Sequence, residues 1–150
     1  MKTLARVRVR PFQASDLRRI LEIEKQSFGA DAWPAEWFRE YAASCPKLFL
    51  TAHSGPSIVG YSITCVARER AELASIAVAR RARGRGVARR LLTASLRSAR
   101  RDGAAAIRLM VRIDNEGAIG LYRKFGFVRL RTITRYYQDG ASGWLMELPL

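Results

Sequence analysis

The sequence is poor in the residues that build metal centres and covalent frameworks. Its 150 residues include one histidine, His53, and two cysteines, Cys45 and Cys65. The cysteines lie far apart, without the close spacing of a zinc site, and they read as reduced core thiols of a cytoplasmic protein. His53 stands alone and is expected to be structural, and no metal is expected. No apolar run approaches the roughly 18 residues of a membrane span. The first ten residues alternate basic and apolar types, without the continuous apolar stretch of a secretory signal. Repeats, low-complexity tracts and linker-like stretches are missing too. The length suits one domain over residues 1–150, large enough to bury a core without staples.

Acidic residues are also few. There are 13 Asp plus Glu against 27 Lys plus Arg, a formal charge of +14. Most of the basic residues are arginine. Net charge bears on solubility and association rather than on fold. It fits a polyanionic partner, either nucleic acid or a phosphate-rich cofactor, and it equally fits a solvated arginine-rich surface; nucleic acid is not required. A hydrophobic content of 49% excludes a disordered chain.

The pattern along the chain is mixed. Residues 4–9 alternate as a strand, and Ser15 or Asp16 is placed to cap a helix running to about Phe28. Pro34 opens a second helix, to about Ala43. Strands are expected over residues 48–53, 57–67 and 72–79, with a turn at Ser54-Gly55-Pro56. A glycine-rich turn then leads into a helix over residues 86–101, ended by Gly103. A strand over 105–112 follows. Asp114 or Asn115 caps a helix that stops at Gly126. Strands over 127–137 and 144–148 close the chain as a hairpin around Asp139-Gly140. The fold class is α/β, a mixed sheet of about seven strands flanked by four helices.

The glycine-rich turn, Arg81-Ala82-Arg83-Gly84-Arg85-Gly86, joins a strand to a helix. Such a turn is an anion site, because the first amides of the helix have no internal partner and carry the positive end of its dipole. Gly84 and Gly86 allow close approach of a pyrophosphate, and Arg81, Arg83 and Arg85 add charge. The turn lacks the lysine and Ser/Thr of a nucleoside-triphosphate loop and the glycine spacing of a dinucleotide turn. On spacing alone an ordinary strand-to-helix turn with surface arginines is the alternative.

Arg81-x-x-Gly84-x-Gly86, followed by Val87-Ala88 and Leu91-Leu92, resembles the coenzyme A loop of the GNAT superfamily of N-acetyltransferases. The run Leu73-Ala74-Ser75-Ile76-Ala77-Val78 resembles that family's fourth strand. Asn115-Glu116-Gly117-Ala118-Ile119-Gly120-Leu121-Tyr122-Arg123-Lys124-Phe125-Gly126-Phe127 is similar to its second signature. The likeness covers nearly the whole chain and implies a single GNAT domain with acetyl-CoA as co-substrate. It places the pantetheine arm along Ile76, Ala77 and Val78 and the pyrophosphate on Arg81 and on residues 83–88, Val87 and Ala88 included. It gives Asn115 a cofactor contact besides its helix cap. Within the family the resemblance is to protein N-terminal acetyltransferases, the bacterial RimI-type enzymes and their archaeal and eukaryotic counterparts. It implies a protein or peptide N-terminus as acceptor, a ribosomal protein among the candidates, with Tyr136 and Tyr137 touching the peptide.

Acetyl transfer to an amine needs a neutral amine, a stabilised oxyanion and a proton for the leaving thiolate. Tyr122 stands at the position of the family's tyrosine acid, and a phenol is protonated at neutral pH. The RimI-type enzymes carry a glutamate on the fifth strand where this chain has Met110, which takes no proton. Glu72 is the nearest acidic alternative; strand alternation puts it on the side of Ala74, Ile76 and Val78. Asp31, in the loop between the first two helices, is another. A relay through water is a third: an α-amine, with a pKa of about 8, is roughly one-tenth neutral at pH 7 and leaves only about 1.4 kcal/mol to overcome, against more than about 4 for lysine. Acetylation of lysine or a small amine, and a non-catalytic acetyl-CoA-binding or nucleic-acid-binding module, are the competing readings.

Overall fold

The computed structural model describes residues 6–150. Leu4 and Ala5 of the expected first strand lie outside the described residues, and β1 covers Val7–Pro11. There follow α1 (Leu17–Phe28), α2 (Ala35–Ser44), β2 (Phe49–Ser54), β3 (Ser57–Ala67), β4 (Arg70–Val78), α3 (Val87–Arg101), β5 (Ala106–Arg112), α4 (Glu116–Phe125), β6 (Val128–Ile133) and β7 (Gly143–Pro149). The order of elements is the expected one. No helix among the described residues is long and apolar enough to cross a membrane.

The seven strands form one sheet in the order β1-β2-β3-β4-β5-β7-β6. Every pairing is antiparallel except β4 with β5, whose parallel course requires the crossover that α3 provides. That parallel ladder is short. It joins Arg70 to Ala106, Ala71 to Ile107 and Glu72 to Arg108, and then stops. Beyond it β4 continues to Val78 and β5 to Arg112 without pairing to each other, so a wedge opens in the middle of the sheet. Those backbone groups of residues 73–78 that point away from β3 face the wedge instead of a neighbouring strand.

Both faces of the sheet are covered. Ile20 and Ile23 of α1 and Phe38 of α2 pack with Phe49, Tyr61 and Ile63 on one face. Leu92, Leu96 and Ala99 of α3, with Ile119 and Tyr122 of α4, pack with Leu73, Ile107 and Leu109 on the other. α3 buries the apolar stripe that its 3.6-residue spacing predicts, and its outer side carries exposed arginines.

Four sequence expectations are corrected. First, Cys45 and Cys65 are joined in a disulfide, with their Cα atoms 5.5 Å apart. Their separation along the chain concealed this, because the end of α2 returns onto β3. Second, neither Ser15 nor Asp16 caps α1. A 3-10 turn (Ala14–Asp16) precedes the helix, and the Asp16 carboxylate accepts the Gln13 amide at 2.8 Å and the fork of Arg10 at 2.8 and 2.9 Å. Third, β6 ends at Ile133 rather than Tyr137, so residues 134–142 form a loop.

Fourth, Glu72 does not lie on the face that plain alternation predicts. β3 and β4 change register between Ile63 and Thr64, where Ile63 pairs with Ser75 and Thr64 with Leu73, so Ala74 is an extra residue. Ala71 and Leu73 pack beneath α3 and α4. Past the bulge it is Val78, with Ile76 beside it, that packs toward α3. Glu72 therefore shares the α1–α2 face with Ala74 and not with Ile76 and Val78.

Candidate active site

The wedge between β4 and β5 leads, at the end of β4, into the glycine-rich turn. Ala79 follows the strand, a 3-10 turn covers Arg80–Ala82, and α3 starts at Val87 with Gly86 as its N-terminal flanking residue. Gly84 and Gly86 have φ of +75° and +80°, backbone that side chains with a Cβ rarely adopt. A Cβ at either position would meet nothing within 4 Å, so the requirement for glycine is one of backbone conformation. The first-turn amides of Val87, Ala88 and Arg89 have no partner further up the helix. Arg81 and Arg85 are exposed. Arg83 is exposed as well and also bonds back onto the protein. Its Nε donates to the Val78 carbonyl at 3.1 Å and its Nη2 to Ser27 Oγ at 3.2 Å, which ties the turn to β4 and α1.

Ile76, Ala77 and Val78 form the last turn-ward stretch of β4 along the wedge. Ala77 is buried against α1 and Val78 against α3. Tyr122 of α4 packs in one cluster with Leu73 and Leu109, the residues that follow the last rung between β4 and β5. Asn115 caps that helix, its Oδ1 accepting the Ala118 amide at 3.2 Å, and Gly126 ends it at φ +100°. Tyr122 is 6% exposed and packs edge-on against Phe127 at 5.6 Å. Burial, and then the neighbouring Tyr137, push its phenol well above the ordinary value of 10.

The α1–α2 face of the wedge holds the remaining candidates. Glu72 sits at its apex, on the last rung of the parallel ladder opposite Arg108. Arg108 is itself engaged, donating to Glu147 at 2.6 Å. The phenol of Tyr41 on α2 is raised first by burial and then by the charge of Glu72, with Glu40 and Tyr136 contributing less. Asp31 lies in the 3-10 turn Gly29–Asp31, and its Oδ2 is taken by Arg112 Nη1 at 3.0 Å. That carboxylate is a partner of Arg112 and not an unengaged base.

Tyr136 and Tyr137 stand edge to face at 4.9 Å in the β6–β7 loop. Arg112 lies over the Tyr137 ring at 4.9 Å. Burial, ahead of Tyr136, raises the Tyr137 phenol to about 12. A Cβ added at Gly143 would come within 2.8 Å of the Met110 methyl, 3.3 Å of Tyr137 and 3.5 Å of Tyr136. Gly143 is thus the gap into which Met110 and the tyrosine pair fit. At the position where the resemblance implies a carboxylate, the Met110 side chain lies against Gly143 of β7. His53 lies on β2, remote from the wedge, and bonds Thr51 Oγ1 at 2.8 Å.

Three participants were not singled out in the sequence. Glu24 is one: α1 buries it to 2% exposure, where it accepts the Tyr61 hydroxyl and, at 2.9 Å, the Trp33 amide. Tyr61 in turn lies 3.4 Å from Ser75 on β4. The signal for Glu24 was a charged residue at helical spacing with Leu17, Ile20 and Leu21. Arg112 and Gly143 gave no local signal, because their roles depend on loops distant in sequence. No group of three or more His, Cys, Asp or Glu among the described residues is arranged to hold a metal ion.

This arrangement has counterparts among known proteins. The model of the acetyltransferase (GNAT) family matches residues 16–127. An uncharacterized protein of Mycobacterium leprae is 41% identical over 89% of the chain, although the match spans only 38% of that protein. The N-alpha-acetyltransferase RimI of Mycobacterium tuberculosis is 37% identical over 89% of the chain and 86% of its own length. The crystal structure of Ard1 from Thermoplasma volcanium superposes with a TM-score of 0.92 at 27% identity, covering 96% of this chain and 97% of that one.

Proposed function

The chain belongs to the acetyltransferase (GNAT) family, and from that premise we propose that it transfers the acetyl group of acetyl-CoA to the α-amino group of a protein N-terminus. The observation that carries the reading is the wedge: a parallel pair that parts after Glu72 and Arg108, with an amide-rich turn at the far end of β4 and two tyrosines on the opposite face. The open edge of β4 offers backbone donors and acceptors to the amide groups of a pantetheine arm. The turn offers amides and arginines to its phosphates. The fit lies in chemistry as well as in shape, since an edge strand pairs with any amide-bearing chain laid beside it.

The acceptor approaches from the α1–α2 face, between the turn that carries Asp31 and the loop that carries Tyr136 and Tyr137. The amine nitrogen attacks the thioester carbonyl, a C–N bond forms, and the C–S bond breaks. Tyr122 serves the departing sulfur. A phenol is protonated at neutral pH, and burial keeps the Tyr122 phenol so. Its part is therefore to donate a hydrogen bond as negative charge grows on sulfur. Glu72 takes the amine proton directly or through water, and Met110 takes none. Ribosomal proteins are the first acceptors to test.

Purified protein, acetyl-CoA and a panel of peptides test this, with a lysine-only peptide blocked at its N-terminus and a small diamine as the other arms. Mass spectrometry should find one acetyl group on the free peptide N-termini. Acetylation confined to lysine or the diamine overturns the choice of acceptor, and coenzyme binding without transfer to any arm overturns catalysis.

A further inference from the structure

Arg112 is the last residue of β5 and lies on the same face as Met110, two residues before it. Its guanidinium gathers two distant pieces of chain and its own near neighbour Asp114. Nη1 donates to Asp31 Oδ2 at 3.0 Å, in the turn between α1 and α2. Nη2 donates to Asp139 Oδ2 at 2.5 Å, in the loop between β6 and β7. Nε reaches Asp114 Oδ1 at 3.3 Å, just before α4, and the plane of the group lies over the Tyr137 ring at 4.9 Å. Asp139 also accepts the Ala141 amide at 3.0 Å, which fixes the loop around it.

The two distant pieces are the walls of the acceptor side. The turn with Asp31 and the loop with Tyr136 and Tyr137 make no strand pairing with each other, and Arg112 is the charged group that bonds to both. Ion pairs this near to solvent add little to global stability. Their effect is geometric: a planar fork with donors at fixed angles holds each carboxylate in one direction and presents a flat face for the ring to stack on. A lysine offers a single point charge and no plane.

We infer that Arg112 is a positioning residue for the acceptor: it pins the α1–α2 turn and the β6–β7 loop to the end of β5, holds the Tyr136–Tyr137 pair in register, and so sets how tightly a peptide N-terminus binds. This rests on the reading that a peptide is the acceptor. The coenzyme side of the wedge, built from β4 and α3, takes no bond from Arg112.

The test is steady-state kinetics of Arg112→Gln, Arg112→Lys and Asp139→Asn beside the unaltered protein, with a peptide it acetylates, together with calorimetric binding of acetyl-CoA. Arg112→Gln is expected to raise the KM for peptide at least tenfold while kcat falls less, with acetyl-CoA affinity within twofold. Arg112→Lys recovers part of the loss. Asp139→Asn, at an exposed position whose loss leaves the core intact, raises peptide KM severalfold without lowering Tm. An unchanged peptide KM in Arg112→Gln and Asp139→Asn overturns the inference, as does a loss of acetyl-CoA affinity equal to that of peptide. If the unaltered protein acetylates no peptide, it is the choice of acceptor that fails, an outcome distinct from normal peptide kinetics in the variants.

Discussion

The Glu24 carboxylate accepts the hydroxyl of Tyr61 inside the core between α1 and the sheet. Its other oxygen accepts the Trp33 amide, so one buried acid holds the rear of the same α1–α2 turn whose front is bonded to Arg112. Burial raises its pKa, outweighing the two donors, which favour the anion. A raised folded-state value means that this group's contribution to stability is complete below the unfolded value and is lost as pH rises through the folded one. Glu24→Gln keeps an acceptor for Trp33 and a donor for Tyr61. It should cost less at pH 7 than at pH 4 by denaturant titration. Glu24→Ala strands the Trp33 amide and leaves the Tyr61 hydroxyl only the longer contact to Ser75, and should cost about 2–5 kcal/mol. A Gln variant with the pH dependence of the unaltered protein would show that Glu24 does not titrate in this way.

The positive φ at Gly84 and Gly86 makes the turn sensitive to any side chain. Replacing either residue by valine should weaken acetyl-CoA binding at least tenfold by calorimetry, because the backbone must leave its left-handed conformation and the amides re-aim. Arg81→Ala tests charge separately. It should weaken binding more at low salt than at high salt, as a screened contact does.

Removing the Tyr122 hydroxyl separates chemistry from binding. Tyr122→Phe keeps the packing on Phe127 and should lower kcat at least a hundredfold while acetyl-CoA affinity changes less than threefold. Turnover equal to that of the unaltered protein, under conditions where chemistry limits the rate, would remove Tyr122 from the reaction.

Glu72 and Met110 lie on the same face of the sheet, on neighbouring strands. If Glu72 accepts the amine proton, Glu72→Gln should abolish the rise in kcat/KM on its acid side. If water relays the proton, the variant loses only a few-fold and the profile follows the titration of the peptide amine. Met110→Glu in the Glu72→Gln background should restore activity when both positions reach one water. Its Tm must be measured alongside, since the new carboxylate packs against Gly143 and the tyrosine pair.

Sequence patterns revealed the order of elements, the glycine turn and the Tyr122 helix, because each is coded within a few residues: alternation, glycine at left-handed positions, a capping asparagine. The hidden features are those in which one segment answers to another. Nothing near Ala74 announces the bulge; the register of β3 creates it, and with it the face of Glu72. Arg112 looks like any strand-end arginine until residues 31 and 139 are folded around it. Glu24 was visible only as a charge out of place on an apolar helix face. The direction of Arg83, back onto Val78 and Ser27, depends on α1 lying beneath the turn.

The disulfide is open to direct measurement. Linking Cys45 to Cys65 closes a ring with a separation of 20 residues, for which loop entropy gives about 3 kcal/mol of stabilisation. A double serine variant should unfold at correspondingly lower denaturant, and the unreduced protein should show no titratable thiol when denatured. Two reactive thiols in unreduced protein would exclude the bond.

The three rungs between β4 and β5 divide the sheet into a four-stranded and a three-stranded block joined by a narrow seam. Cooperative opening follows such seams. Amide exchange on β5, β6 and β7 should accordingly run on its own clock, slower or faster than that of β2 and β3 but uniform within each block. A molecule lodged in the wedge bridges the seam and should bring the two clocks together.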